Sequence, residues 1–196
     1  MLRHVEDSLS VAASIHEHWI AHTDQPDSNG IHIVDIGAGA GLPALVLAIA
    51  RPDWKVTALE TLKKRCTFME MVCTELSLDN VHILWSRAED AGRDKDNYRE
   101  AFDVATARAV AETRILAELS LPLVKVGGLW IAAKASNVDD EVANAQRAIE
   151  ECGGAVEAIP SLVVDGIERT VLVVKKKYPT PDKYPRRAGM PNKRPL

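Results

Sequence analysis

Asp35-Ile36-Gly37-Ala38-Gly39-Ala40-Gly41-Leu42-Pro43 joins an apolar run over 31–36 to an apolar stretch over 42–50 that Pro52 closes. Read as strand, turn and helix, it is the junction that opens a βαβ unit. In a doubly wound sheet this junction lies in the crevice at the carboxyl ends of the strands, where glycines let a ligand touch backbone. The spacing here is G-x-G-x-G. The dinucleotide fingerprint is G-x-G-x-x-G, and Leu42 stands where a third small residue would be needed beside a pyrophosphate. Gly37, Gly39 and Gly41 therefore read as a cradle for a nucleoside without phosphates, with a merely tight turn as the plain alternative.

The alternation continues outward. Residues 54–59 form a strand ending in Glu60, 62–76 an amphipathic helix, 81–85 and 102–107 further strands, and 112–124 a helix broken near Pro122. Gly127-Gly128 turns the chain into a strand over 129–133, and a helix over 139–151 ends at Gly153-Gly154. Strands over 156–164 and 170–174 then pair antiparallel through Asp165-Gly166, while a helix over 9–20 precedes the whole. The pattern predicts an α/β fold: a mainly parallel sheet with right-handed crossovers, helices on both faces and a C-terminal antiparallel pair.

A chain of 196 residues suffices for one core. Its apolar share of 46% and charged share of 27% exclude the disordered and fibrous classes. No run approaches the roughly 18 apolar residues of a membrane span, and residues 1–4 open no signal peptide, so no membrane partner is expected. Cys66, Cys73 and Cys152 are odd in number and lack C-x-x-C spacing, which argues against a disulfide framework and a zinc site. The net charge of −4 is unevenly spread: residues 175–196 carry eight Lys or Arg against Asp182 alone, or +7, leaving −11 on the rest. This basic, Pro-rich end is either an arm for a polyanion or a solvated tail. The chain divides into an N-terminal helical segment over 1–30, a domain over 31–177 and a tail over 178–196.

Glu60 follows the second strand, 21 residues beyond Gly39, the offset at which an acid in these folds accepts hydrogen bonds from both ribose hydroxyls. Glu89, just after the third strand, stands where the edge of an adenine would be gripped; an exposed charged turn is the alternative. Arg108 ends the fourth strand and Lys134 the fifth, so both point at the same crevice. Arg108 either pairs with a structural carboxylate or is aimed at cofactor or nucleic-acid phosphate, and Lys134 either holds RNA phosphate or snorkels from its strand end. The Asp/Asn-Pro-Pro-aromatic signature of exocyclic amino methylation is absent at Arg108, and no cysteine stands where covalent methylation of a pyrimidine carbon needs one. His4 and Asp7 share a helical face without a third ligand, so no metal site is expected, and no acid/base residue is nominated.

Together these residues closely resemble the RsmG family, also called glucose-inhibited division protein B. The markers are Arg3-His4-x-x-Asp7-Ser8, the glycine turn, Lys64-Arg65, Arg87-Ala88-Glu89, Thr106-Ala107-Arg108-Ala109, Leu121-Pro122-Leu123, Ala133-Lys134 and Tyr184-Pro185-Arg186-Arg187-Ala188-Gly189-x-Pro191, spread over nearly the whole chain. The resemblance implies a Rossmann-like class I S-adenosylmethionine-dependent methyltransferase, whose version of the sheet adds the final antiparallel pair. It implies methyl transfer to nitrogen-7 of a guanosine in 16S ribosomal RNA, with Gly37, Leu42, Glu60, Ala88, Glu89 and Arg108 lining the donor site. Arg3 and His4 of the opening motif, Lys134, and Arg186, Arg187, Lys193 and Arg194 of the tail are the expected RNA contacts. The partner is small-subunit ribosomal RNA or the assembling small subunit, met by a monomer. A non-catalytic rRNA-binding or assembly factor, and a methyltransferase acting on tRNA, protein or a metabolite, are the alternatives. A nicotinamide oxidoreductase is disfavoured by the glycine spacing. Family members carry a further helical segment before the Arg-His-x-x-Asp-Ser stretch, so truncation relative to the family is expected. A bacterial source implies the cytoplasm; plastid relatives, matched at Pro52-Asp53-Trp54-Lys55-Val56-Thr57, imply the chloroplast stroma.

Overall fold

The computed structural model describes residues 2–22, 30–108, 111–134, 138–164 and 166–196. In chain order it runs α1 (Leu2–His22), β1 (His32–Ile36), α2 (Ala44–Ala50), β2 (Lys55–Glu60), α3 (Lys63–Leu76), β3 (Val81–Trp85) and a short α4 (Ala88–Ala91). There follow β4 (Phe102–Arg108), α5 (Thr113–Ser120) with a 3-10 turn at Leu121–Leu123, β5 (Val124–Lys134), α6 (Asp139–Glu151), β6 (Gly154–Ala158), β7 (Ser161–Val164), β8 (Ile167–Lys176) and the single turn α7 (Met190–Lys193).

The strands form one sheet in the order β3-β2-β1-β4-β5-β8-β6, with β7 also on β8. Strands β1 to β5 are parallel, and β8 runs antiparallel to β5, β6 and β7. The order reverses between β1 and β4, which makes the carboxyl ends of those two strands the natural crevice. Because successive side chains of a strand point to opposite faces, Ile33 joins Val56, Val104 and Ile131 in a core with α1, α2 and α3, whereas Val34 and Ile36 join Ala105, Trp130 and Leu172 against α5 and α6. Burial on both faces is why the strand sequences read as continuous apolar runs.

Three elements differ from expectation. Strand β5 begins at Val124 and runs through the glycine pair, because β4 and β5 lose register between Phe102 and Val104 and the extra residues bulge. Gly128 lies so close to the next strand that a Cβ there would stand 2.4 Å from the Asp103 carbonyl oxygen. The single strand expected over 156–164 is two, β6 and β7, interrupted at Ile159-Pro160; proline has no N–H for a ladder, and its carbonyl instead accepts from Val171 N at 2.9 Å. Helix α1 extends to Leu2. Of the joint at Asp165-Gly166, Asp165 lies outside the described residues.

The largest difference is the basic tail, which is anchored to the domain at several points while much of it stays exposed. Tyr184, Pro185 and Pro191 are buried, and the Tyr184 hydroxyl donates to Glu151. Arg99 donates to the Thr180 and Tyr184 carbonyls, and Lys176, wholly buried, donates to the Thr180 hydroxyl at 2.7 Å and pairs with Glu100 at 3.1 Å. Arg186, expected on RNA, is committed to Glu118: Nη2 to Oε2 is 2.6 Å, Nε to Oε1 is 2.9 Å, and the Arg186 backbone N–H donates to the same carboxylate at 2.7 Å. Glu118 sits in the core with its side chain 1% exposed, so a cation has to come to it. Residues 178–196 are thus part of the domain's packing. Arg186→Ala, which strands a buried carboxylate, is expected to lower unfolding stability by about 3 kcal/mol, measured by urea denaturation; a loss below about 1 kcal/mol, the scale of an exposed pair, would mean that the Glu118 charge does not depend on it.

Candidate active site

The site is built at the ends of β1 and β2. Gly37, Gly39 and Gly41 all have positive φ (70°, 62° and 93°), the left-handed region that glycine enters without steric cost. The turn is pinned to the neighbouring strand, since Gly37 N and Ala38 N both donate to the Leu59 carbonyl at 2.9 and 3.1 Å. Gly39 N then donates to Glu60 Oε2 at 2.9 Å, and a Cβ at Gly39 would meet nothing closer than 3.8 Å, which leaves open space in front of the turn.

Glu60 is fixed from the other side by the N–H groups of Thr61 and Leu62, at 2.7 and 2.9 Å from Oε1. Burial acts to raise this carboxyl, but the N–H groups of Leu62, Gly39 and Thr61 more than offset it and hold it below the usual carboxylate range. It is therefore an oriented anion. A carboxylate that occupies the Gly39 N–H excludes phosphate from the turn, which is the physical counterpart of the missing third glycine. Beside it Asp35, 1% exposed, accepts from Ala44 N at 3.0 Å and ties the end of β1 to the start of α2. Burial pushes the Asp35 carboxyl up to about 7, opposed by the Ala44 N–H and the Arg108 charge and reinforced by Glu60. Asp35 was not singled out from the sequence, although an acid two residues before the first glycine is the signal that marks it.

The other nominated residues fall around this pair. Leu42 is half-buried on the turn, and Ala88 and Glu89 are buried in α4. Glu89 is not an open anion: its Oε1 accepts from Gly189 N at 2.8 Å and so binds the tail to the donor end of the sheet. Arg108 ends β4, where its charge acts on Asp35 while Nη1 reaches toward the His4 carbonyl at 3.5 Å. His4 is exposed; the Arg3 side chain lies outside the described residues. Lys134 lines a cavity with Arg108, and its ammonium pairs with Glu141 at 2.8 Å, which also accepts from the Thr113 N–H and hydroxyl. Arg187, Lys193 and Arg194 are exposed on the tail.

Next to Arg108 a cavity of about 360 Å³ opens between α1 and the ends of β4, β5 and β8. Asp7 and Arg169, neither nominated from sequence as a functional pair, face it as an ion pair 3.1 Å apart. They are 162 residues apart, a separation at which no local pattern could announce them.

A glycine turn open in front, an ionised acid positioned for a diol and a second buried acid beside it suit a cationic nucleoside, and with the sheet order they define the Rossmann-like class of S-adenosylmethionine-dependent methyltransferases. Among solved structures the fold is similar to M. jannaschii TYW2 in complex with AdoMet, with a TM-score of 0.60 and 16% identity, covering 76% of this chain and 70% of that one. Among curated proteins, the chain is 48% identical over 168 residues to "Ribosomal RNA small subunit methyltransferase G" of Oceanobacillus iheyensis, covering 85% of this chain and 70% of that protein. It is 43% identical to the protein of the same name from Leuconostoc mesenteroides, covering 100% and 78%. The family model GidB, rRNA small subunit methyltransferase G, matches residues 1–171, and the chain belongs to that family. Its methyl donor is S-adenosylmethionine.

The donor brings a methyl group on a positively charged sulfur, and Asp35 and Glu60 are the residues that would face its cationic and ribose portions. Glu60→Ala is expected to weaken donor binding by roughly 2–4 kcal/mol, two charge-assisted hydrogen bonds, with an affinity unchanged by calorimetry removing Glu60 from the site. The folded carboxyl of Asp35, raised to about 7 against 3.8, keeps a proton that the unfolded chain has lost, so unliganded stability falls as pH rises from about 4 to 7. A cationic ligand favours the ionised form and expels that proton. Donor affinity should therefore rise roughly tenfold from pH 6 to pH 8, and Asp35→Asn should flatten the profile; equal affinity at both values in the native protein would disconnect Asp35 from the donor.

Proposed function

We propose that this chain transfers the methyl group of S-adenosylmethionine to nitrogen-7 of a guanosine in small-subunit ribosomal RNA. The observation that carries this reading is the cavity beside Arg108: it has room for a base, and it opens at the end of β4, next to the end of β1 that carries the glycine turn. Membership of the rRNA methyltransferase family supports RNA as the substrate class. The bacterial relatives favour the cytoplasm over the chloroplast stroma.

Guanine nitrogen-7 carries an in-plane lone pair and no proton, so transfer needs alignment of nucleophile and methyl and no general base. The charged groups on the cavity wall suit that demand. Asp7 is tied to Arg169 and Lys134 to Glu141, which makes them fixed charges that orient a base. Arg108, between the donor turn and the cavity, holds the two halves of the reaction in register. Arg187, Lys193 and Arg194 lie on the tail segment that Glu89 anchors beside the donor end, and they extend the RNA surface outward.

The test is transfer from labelled donor to free rRNA, small subunits and tRNA in parallel, followed by mapping of the modified atom. Single-turnover transfer at saturating donor and RNA should be flat between about pH 6 and 9. A rising limb there would point to an oxygen, carbon or exocyclic-nitrogen acceptor. Replacing Arg187, Lys193 and Arg194 with alanine should make the slope of log affinity against log salt shallower by about 2, at roughly 0.7 per phosphate contact, and leave donor affinity intact; an unchanged slope would take the tail off the RNA.

A further inference from the structure

Nitrogen-7 is chemically alike in guanine and adenine, so an enzyme that methylates it cannot choose its base at the reacting atom. The choice has to be made on the six-membered ring. There guanine presents the donors N1–H and N2–H₂, whereas adenine presents N1 as an acceptor, and RNA-binding sites read such unstacked bases on these edges. A site that reads guanine on this N1/N2 edge thus needs a fixed hydrogen-bond acceptor, best a carboxylate, on the wall away from the methyl donor.

Among the described residues the cavity beside Arg108 has one carboxylate on its wall, Asp7 of α1. Its Oδ1 accepts from Arg169 Nε of β8 at 3.1 Å, and its Oδ2 has no partner among the described residues. The side chain is 17% exposed, held in place yet reachable. The pair faces an open volume of about 360 Å³. Arg108 lines that volume at the end of β4, the strand paired with β1 with Asp35 opposite Thr106, so the cavity and the donor turn open at neighbouring strand ends. In guanine, nitrogen-7 and the N1/N2 edge lie on opposite sides of the ring system. A base entering with nitrogen-7 toward the glycine turn carries its N1–H and N2–H₂ away from it, toward the wall that α1 and β8 build.

We propose that Asp7 is the residue that reads guanine, accepting from N1–H and N2–H₂ of the target base, with Arg169 as the positioning residue that holds its carboxylate in orientation. The same carboxylate repels the N1 lone pair of adenine, which excludes the other purine. This rests on the nitrogen-7 guanosine reading above.

The experiment compares small-subunit RNA carrying guanosine or inosine at the mapped position, since inosine retains nitrogen-7, O6 and N1–H and lacks only the N2 amino group. Second-order transfer rates are measured for the native protein and for Asp7→Asn, which can keep the Arg169 contact while turning the second acceptor into a donor. The native protein should lose roughly ten- to hundredfold on inosine; Asp7→Asn should lose at least as much on guanosine, its guanosine-to-inosine ratio collapsing toward one with donor affinity unchanged. Equal native rates on guanosine and inosine overturn the proposal and need no variant, so a misfolded Asp7→Asn does not shield it. A variant that is slow but keeps the native ratio also overturns it, because Asp7 would then act only through packing. Mapping of the native methyl to another atom refutes the function itself, and the proposal with it.

Discussion

The hydrogen bond from the Ala44 N–H to the buried Asp35 carboxylate closes the turn between β1 and α2, and the rest of the site hangs from that closure. Three residues in left-handed conformation bring the chain around within a few positions, which only glycine does without strain. The turn is thereby pressed against the end of β2, where it both donates to the Leu59 carbonyl and delivers the Gly39 N–H to Glu60. Two acids at the ends of neighbouring strands are otherwise a repulsive arrangement. Backbone N–H groups hold Glu60 below the usual carboxylate range while burial pushes the Asp35 carboxyl up to about 7, so the two acids titrate far apart and their repulsion is relieved at mildly acidic pH.

The fold was legible because its signals are local. Apolar runs of strand length, separated by helical stretches and closed by glycine or proline, placed β1 to β4, α3 and α6 within a residue or two of where they lie. The turn and Glu60 were legible for the same reason: a fixed offset along the chain translates into adjacent strand ends. Strand β5 was read short because a bulge spends residues without advancing the register, and a glycine pair inside a bulge looks like a glycine pair in a turn.

What escaped was decided by long-range pairing. Arg186, Arg187, Lys193 and Arg194 are equivalent as letters, yet one of them neutralises a buried acid 68 positions away and the others are exposed. The acid that decides this, Glu118, sits in a helix whose sequence carries no sign that its charge will be enclosed. Lys134 and Glu141 are a similar case, as are Asp7 and Arg169. In each, the sequence shows a charge, and only the three-dimensional arrangement shows whether that charge is spent or available.

The strand order has a consequence for how the protein comes into being. Strand β8 is the last strand made, yet it is inserted between β5 and β6, and β6 has no other strand partner among the described residues. During synthesis β6 and β7 therefore emerge with nothing to pair against, and the parallel half of the sheet waits with β5 as an open edge. Even when β8 arrives the molecule is incomplete, because Glu118 and Glu89 still lack the Arg186 and Gly189 groups that follow it. The donor end of the sheet is therefore completed late, by groups that follow every strand in the chain and close over Glu118 and Glu89 only once the sheet behind them is assembled.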